Sequence, residues 1–220
     1  MIKWPKQQVQ FLYLVMMTTS QIKYICLDFD GVISPGKYFS EIYAAKFGVA
    51  VEQLLPFFQH KKKLANLGQA DMKQLLAEEL AVWQWSGSVD QLCDFWFESD
   101  ADIDPGIAQL ANRLRQQGKK IYLTTDQEKY RTEFIWHKRG LKQWMDGRFV
   151  SFELGCEKKQ VCFWQKVFKK LKAEPSEILM VDDSVSKLKV ASSQGIHTIR
   201  YIGLPQLIDV LAQWEVLSQD

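Results

Sequence analysis

Short apolar runs that end on polar clusters recur along this chain, and helical stripes separate them. Lys23-Tyr24-Ile25-Cys26-Leu27 leads into Asp28-Phe29-Asp30-Gly31, and Lys120-Ile121-Tyr122-Leu123-Thr124 leads into Thr125-Asp126. Arg148-Phe149-Val150-Ser151-Phe152 precedes a loop at Gly155, Ile178-Leu179-Met180-Val181 runs into Asp182-Asp183, and His197-Thr198-Ile199-Arg200-Tyr201 is a fifth run of the same kind. Strands that are apolar throughout, rather than alternating, are covered on both faces. The helices between them complete the pattern. Asp104-Pro105 is a cap followed by proline at the first helical position, and Ile107, Leu110, Ala111 and Leu114 form one stripe that ends before Gly118. Phe134 and Ile135 mark a second helix, Trp164, Val167, Phe168 and Leu171 a third, and Val185, Leu188 and Ala191 a fourth that stops before Gly195. Strand and helix in alternation predict an α/β fold, a doubly wound parallel sheet with a Rossmann-like core.

The alternation is interrupted once. Residues 34–103 hold no convincing strand, and their periodicity predicts helices: Phe39, Ile42, Tyr43 and Phe47 up to Gly48, then Met72, Leu75, Leu76, Leu80 and Trp83, then Ser88-x-x-Gln91 as a capping box before Val89, Leu92, Cys93, Trp96 and Phe97. The expected organisation is an N-terminal extension over 1–20, an α/β core over 21–33 and 104–220, and a helical unit over 34–103. The connections fall at Ser34-Pro35-Gly36 and at 100–104.

The charge is nearly balanced, with 28 Lys+Arg against 26 Asp+Glu, which excludes a dedicated nucleic-acid binder or a polybasic membrane protein. The longest apolar run near the start, Phe11 to Met17, is far short of the ~20 residues of a membrane span. Lys3 and Lys6 precede it as in a signal peptide, but no small-x-small cleavage site follows, so the expectation is a loose extension with Met16 or Met17 as the working start. Cys26, Cys93, Cys156 and Cys162 show neither C-x-x-C nor regular spacing. No zinc cage or disulfide framework is expected, and a reducing, cytoplasmic setting follows from that.

In a parallel sheet all the polar clusters emerge at one carboxyl edge, where open α/β folds bind ligands. Asp28 and Asp30 are two apart, so an extended backbone would send both carboxylates to one face and Phe29 to the other, with Gly31 allowing a sharp turn. An aspartate at a strand end ordinarily caps a turn. Four of them, Asp28, Asp30, Asp182 and Asp183, at one edge are not explained that way, because like charges a few ångströms apart repel by several kcal/mol at an effective dielectric of ~20. An oxygen-rich anionic site of this kind suits a hard divalent ion, Mg²⁺ above all. Ser184 is placed to cap the helix after Asp183.

These residues, in order, resemble the four motifs of the haloacid dehalogenase-like hydrolase superfamily: Asp28-x-Asp30-Gly31-Val32 after the first strand, a Thr after the second, a Lys further on, and Asp182-Asp183 after another strand. The resemblance runs from about Lys23 to Tyr201. It implies that the helical unit over 34–103 is a cap domain and that the substrate is a small phosphorylated metabolite, a sugar phosphate or similar, hydrolysed with Mg²⁺. By the same resemblance Asp28 is the nucleophile that forms an aspartyl-phosphate. Asp30 is the acid and base, with its backbone carbonyl also a metal ligand; Asp183 is a direct metal ligand, and Asp182 is a ligand or stands behind one. Asp30 needs a raised pKa to begin as an acid, and crowding by other carboxylates would raise it. Thr125, with Thr124 as the rival one register step away, matches the hydroxyl that binds phosphate, although Thr in a strand is more commonly just a β-branched filler. Lys158 matches the lysine that pairs with nucleophile and phosphate.

Two positions depart from the pattern. Asp126 stands where the family usually has Asn, and Lys159 where Pro often follows the lysine. An anion beside a bound phosphate needs a counter-charge, and Lys159 is the candidate to supply it. A phosphomutase with the same motifs is an alternative, as is a regulatory or binding protein that kept the fold and lost turnover; a haloacid dehalogenase lacks the second Asp. His60-Lys61-Lys62-Lys63 reads as a solvated helix face, with recruitment of a phosphorylated substrate as the other reading. Trp83, Trp85 and Trp96 are expected to pack the helical unit rather than stack on a ligand.

Overall fold

The computed structural model describes residues 22–218; the expected N-terminal extension and start lie outside the described residues. Five parallel strands form one sheet: β1 (Tyr24–Leu27), β2 (Lys120–Thr125), β3 (Gly147–Val150), β4 (Ile178–Asp182) and β5 (His197–Arg200), in the order β3-β2-β1-β4-β5. The order reverses at β1, so the carboxyl ends of β1 and β4 flank the topological switch point where such sheets bind ligands, with β2 next to β1.

Alternate residues of each strand feed two separate cores, which is why the strands read as apolar throughout. Ile25, Leu27, Ile121, Leu123, Leu179 and Val181 face one side with Ile107, Leu110 and Leu114 of α6 (Pro105–Gln116) and Leu207 and Leu211 of α11 (Leu204–Gln213). Cys26, Phe149, Ile178 and Met180 face the other with Phe163, Trp164 and Val167 of α9 (Val161–Leu171) and Leu188 and Ala191 of α10 (Val185–Ser193). The α/β arrangement expected from the alternation is the one present.

Between β1 and β2 the chain forms helices: α1 (Phe39–Phe47), α2 (Val51–Pro56), a π-helical turn (Phe57–Lys61), α3 (Lys62–Asn66), α4 (Met72–Ala77) and α5 (Val89–Ser99). The capping signals act as expected. Ser88 and Gln91 close a reciprocal box at the start of α5, and Asp104 Oδ1 accepts from the Gly106 amide at 2.8 Å at the start of α6. The stripe from Met72 to Trp83 is less regular than its spacing suggests: α4 stops at Ala77 and turns carry the chain to Gln84, where φ is positive. Trp83 is nonetheless fully buried, within edge and stacking distance of Phe39, Tyr43, Phe57 and Phe58, and packs the helices together. The chain leaves the sheet and returns to it side by side, because the Asp104 amide donates to the Ile33 carbonyl (2.9 Å) and Ser34 Oγ to the Asp100 carbonyl (3.2 Å).

Beyond β2 lie α7 (Lys129–Glu133), continued by a π-helical turn (Phe134–Lys138), and the short α8 (Ser151–Leu154) after β3. Among the described residues no helix is long and apolar enough to cross a membrane. One expectation fails here. Cys156 and Cys162 form a disulfide, with Cα atoms 6.2 Å apart, while Cys26 and Cys93 are free and buried. The loop after Gly155 turns straight into α9, and this turn brings the two sulfurs together across a spacing that matches no metal or redox motif.

Candidate active site

β1 ends at Leu27, three residues short of a fully extended Asp28–Asp30, and the chain turns at once: the Ser34 amide donates to the Phe29 carbonyl (2.8 Å), and Asp30 bridges to Ser34. The two aspartates therefore part company. Asp28 is 2% exposed, accepts from the Phe29 amide at 2.8 Å, and points at Lys158. Phe29 is buried in the core. Asp30 turns instead to Arg131.

Lys158, fully buried in the loop before α9, is the hinge of the charge network. Its Nζ lies 2.6 Å from Asp28 Oδ1 and 2.7 Å from Asp182 Oδ2. Asp182, at the end of β4, accepts the Ser184 amide on its other oxygen at 2.8 Å. Ser184 does sit at the N-cap of α10, but its own hydroxyl makes no capping bond; Asp182 has taken that role. Asp183 completes a group with Asp28 and Asp182 in which one oxygen from each lies within 4.8 Å of the others. Gly31 is required for this packing: its φ is +82°, and a Cβ there would lie 2.5 Å from Asp183 Oδ2. Three converging carboxylates, one of them closed against bare backbone, offer the hard oxygen donors that a divalent cation takes. Asp30's side chain is not in that group. The only ligand atom the family resemblance leaves to it is its backbone carbonyl.

A second cation, missed in the sequence, faces the same carboxylates. Lys187, in the first turn of α10, lies 3.4 Å from Asp28 Oδ2 and 3.8 Å from Asp126 Oδ2. Burial lowers its pKa, but Asp28, Asp182, Asp126 and Asp30 together outweigh that and raise it. The signal was present: a lysine in the first turn of a helix opposes the helix dipole and needs a reason to be there. Lys187 is also the counter-charge for Asp126. Lys159, expected in that role, pairs with Glu157 at 3.3 Å, and Asp126 Oδ1 is further held by the Lys158 amide at 2.9 Å. Asp126 thus fixes the loop that carries Lys158.

Burial lifts the Asp28 carboxyl above its ordinary range, against the pull of Lys158 and Lys187. Asp30 shifts the opposite way to the expectation. Burial alone would raise it, but the Arg131 guanidinium, with Nη2 2.8 Å from Oδ1 and Nη1 3.2 Å from Oδ2, holds it below the usual carboxylate range. The sequence reading considered only the neighbouring carboxylates and missed the arginine. Arg131 also binds Asp100 at the end of α5, Nη2 to Oδ1 at 3.1 Å, and stacks its guanidinium 5.1 Å from the Phe29 ring centroid. Among one-dimensional signals, none marks Arg131.

Thr124 and Thr125 are both buried. Thr124 turns toward the Cys26 thiol inside the sheet, whereas Thr125 closes β2 opposite Val150 at the carboxyl edge.

The family model for haloacid dehalogenase-like hydrolases matches residues 22–195. The chain belongs to that family. Among solved structures, a family enzyme from Bacteroides thetaiotaomicron, determined in complex with magnesium and inorganic phosphate, superposes with a TM-score of 0.68 at 19% identity over 81% of this chain and 93% of that one. A haloacid dehalogenase-like family hydrolase from Porphyromonas gingivalis gives 0.72 at 17% identity, covering 87% and 98%. A 2-haloacid dehalogenase from Pseudomonas syringae pv. Tomato DC3000 gives 0.58 at 17%, covering 88% and 99%. All three share the fold of this chain.

Proposed function

We propose that this hydrolase is a magnesium-dependent phosphatase acting on a small phosphorylated metabolite through an aspartyl-phosphate on Asp28. The observation that carries this reading is the cluster of Asp28, Asp182 and Asp183 around Lys158. Displacing halide from carbon needs no such concentration of carboxylates, whereas attack by a carboxylate on a dianionic phosphate requires their repulsion to be offset. Asp28, Asp182 and Asp183 would hold the Mg²⁺. When bound, that ion supplies positive charge between nucleophile and phosphate. The magnesium and phosphate complex of the Bacteroides enzyme supports the same reading.

In the proposed reaction an Asp28 oxygen forms a bond to phosphorus as the bond to the leaving oxygen breaks, and Asp30 delivers a proton to that oxygen. Water then attacks the acyl-phosphate, giving its proton to Asp30 and releasing phosphate and free Asp28. Arg131 keeps Asp30 as the carboxylate that this second half requires; the arriving phosphate dianion shifts Asp30 toward protonation for the first half. Lys158 and Lys187 face Asp28 from two sides and are set to neutralise phosphoryl oxygens, and Thr125 is set to donate its hydroxyl to them. Helices α1 to α5 act as the cap that excludes water. The Cys156–Cys162 disulfide removes the cysteine argument for a cytoplasmic location.

Phosphate release from a generic aryl phosphate tests the reading. It is expected with Mg²⁺ and should vanish with chelator and in Asp28→Asn. Halide release from a 2-haloacid, unaffected by chelator and unaccompanied by any phosphatase activity, would replace it with dehalogenation.

A further inference from the structure

Between the helices over 39–99 and the sheet edge, a cavity of about 320 Å³ opens beside Asp30, at the lower end of the range for ligand pockets. Its walls differ in character. Leu55, Phe58 and Trp96 form an apolar side, and Lys62, Asn66, Arg131 and Asp100 a polar one. The Arg131 charge is committed to Asp30 and Asp100. Lys62 is not committed: among the described residues no carboxylate lies within 4.0 Å of its Nζ, which sits 5.8 Å from the centroid of the Trp96 ring. Its neighbours in the basic run are engaged elsewhere, Lys61 with Glu78 and Glu79 at 2.6 and 2.7 Å and Lys63 facing Glu157 at 4.0 Å. The run therefore splits, with only its middle member turned into the cavity.

Burial weakens the hold of Lys62 on its proton, and Arg131 repels it further, while Asp30, Glu128 and Asp100 act the other way. An ammonium held in a partly apolar cavity without a close counter-ion is costly, and an incoming anion removes that cost. An uncharged leaving group would fill the same space and leave the charge unmatched, so the cavity discriminates by penalty as well as by attraction.

We propose that this cavity receives the leaving group of the substrate and that Lys62 binds a second anionic group on it, a carboxylate or a second phosphate. The apolar wall then lies against the short carbon skeleton between the two anions. This inference rests on the phosphatase reading and narrows its substrate class.

The test compares esters matched in carbon number: 2-phosphoglycolate against ethyl phosphate for a carboxylate, and 1,3-propanediol bisphosphate against propyl phosphate for a second phosphate. The quantity read is the ratio of kcat/KM for the charged over the uncharged member, which cancels any general loss in a variant. At least one pair should give a ratio of ten or more, carried by KM, which falls toward one in Lys62→Met and is retained in Lys62→Arg. A ratio near one in the wild type, or one unchanged in Lys62→Met, overturns the inference while leaving the phosphatase reading intact. Absence of any phosphate release counts against the phosphatase reading. In that event calorimetric binding of the same pairs to the Mg²⁺-loaded Asp28→Asn protein still decides the inference, with tighter binding of a charged member that depends on Lys62 as the supporting result and equal binding as the refuting one.

Discussion

Replacing Lys158 with Met removes a charge and keeps most of the stem. The ammonium lies 2.6 Å from Asp28 and 2.7 Å from Asp182, and all three side chains are sealed from solvent. Without it the two carboxylates face each other, with Asp183 in the same 4.8 Å group. One pair of unit charges at about that separation repels by about 3.5 kcal/mol at an effective dielectric of ~20, and removal of one partner from a buried ion pair costs about 3–5 kcal/mol. The two figures describe one loss and are not added. For a chain of this length about 1 kcal/mol corresponds to about 2–4 °C in Tm, so Lys158→Met should melt about 6–20 °C below the wild type at neutral pH in chelator. Mg²⁺ should then raise Tm by more in the variant than in the wild type, because the cation replaces lost positive charge. A variant that melts within about 2 °C of the wild type in chelator, with no response to Mg²⁺, would refute the claim that these carboxylates tolerate one another only through a shared cation.

The Cys156–Cys162 bridge closes a loop of six-residue separation around Lys158; by loop-closure entropy it contributes about 2 kcal/mol. Dithiothreitol should therefore lower the wild-type Tm by several degrees and leave Cys162→Ser unchanged, whereas equal responses would show that no bridge forms. Gly31→Ala drives a Cβ into Asp183 at a left-handed φ, so Mg²⁺ affinity should fall at least tenfold by calorimetry, with about 1–2 kcal/mol of stability lost; unaltered affinity contradicts the packing described. Arg131→Met removes the guanidinium that depresses the Asp30 carboxyl. Burial then dominates and the carboxyl rises, so Asp30 keeps its proton to higher pH and the alkaline limb of the kcat/KM profile, set by the acid that protonates the leaving oxygen, should move to higher pH; a limb that stays in position denies Arg131 this control.

What could be read in one dimension was whatever the backbone period dictates. Asp28, Asp126, Asp182 and Asp183 each follow an apolar run, and a parallel sheet brings all such ends to one edge, so their meeting followed from the pattern alone. Lys158 was found only through its likeness to a motif, because a loop lysine has no period. Side-chain partners were harder. Asp30 was expected beside Asp28, but the strand ends at Leu27 and the turn redirects it to an arginine 101 residues away. Lys187 holds the place expected of Lys159 for the same reason: a charge's partner depends on which elements pack together, and Lys159 follows Lys158 out of the site toward Glu157. The Cys156–Cys162 pairing, likewise, depends on how sharply the chain turns into α9, which spacing does not record.

Binding of Mn²⁺ followed by electron paramagnetic resonance tests the central claim directly, since it reads the ion without turnover. The account predicts one site per chain, displaced by Mg²⁺ and abolished in both Asp28→Asn and Asp183→Asn. A folded protein that binds no Mn²⁺, or binds it equally well in those two variants, would contradict it.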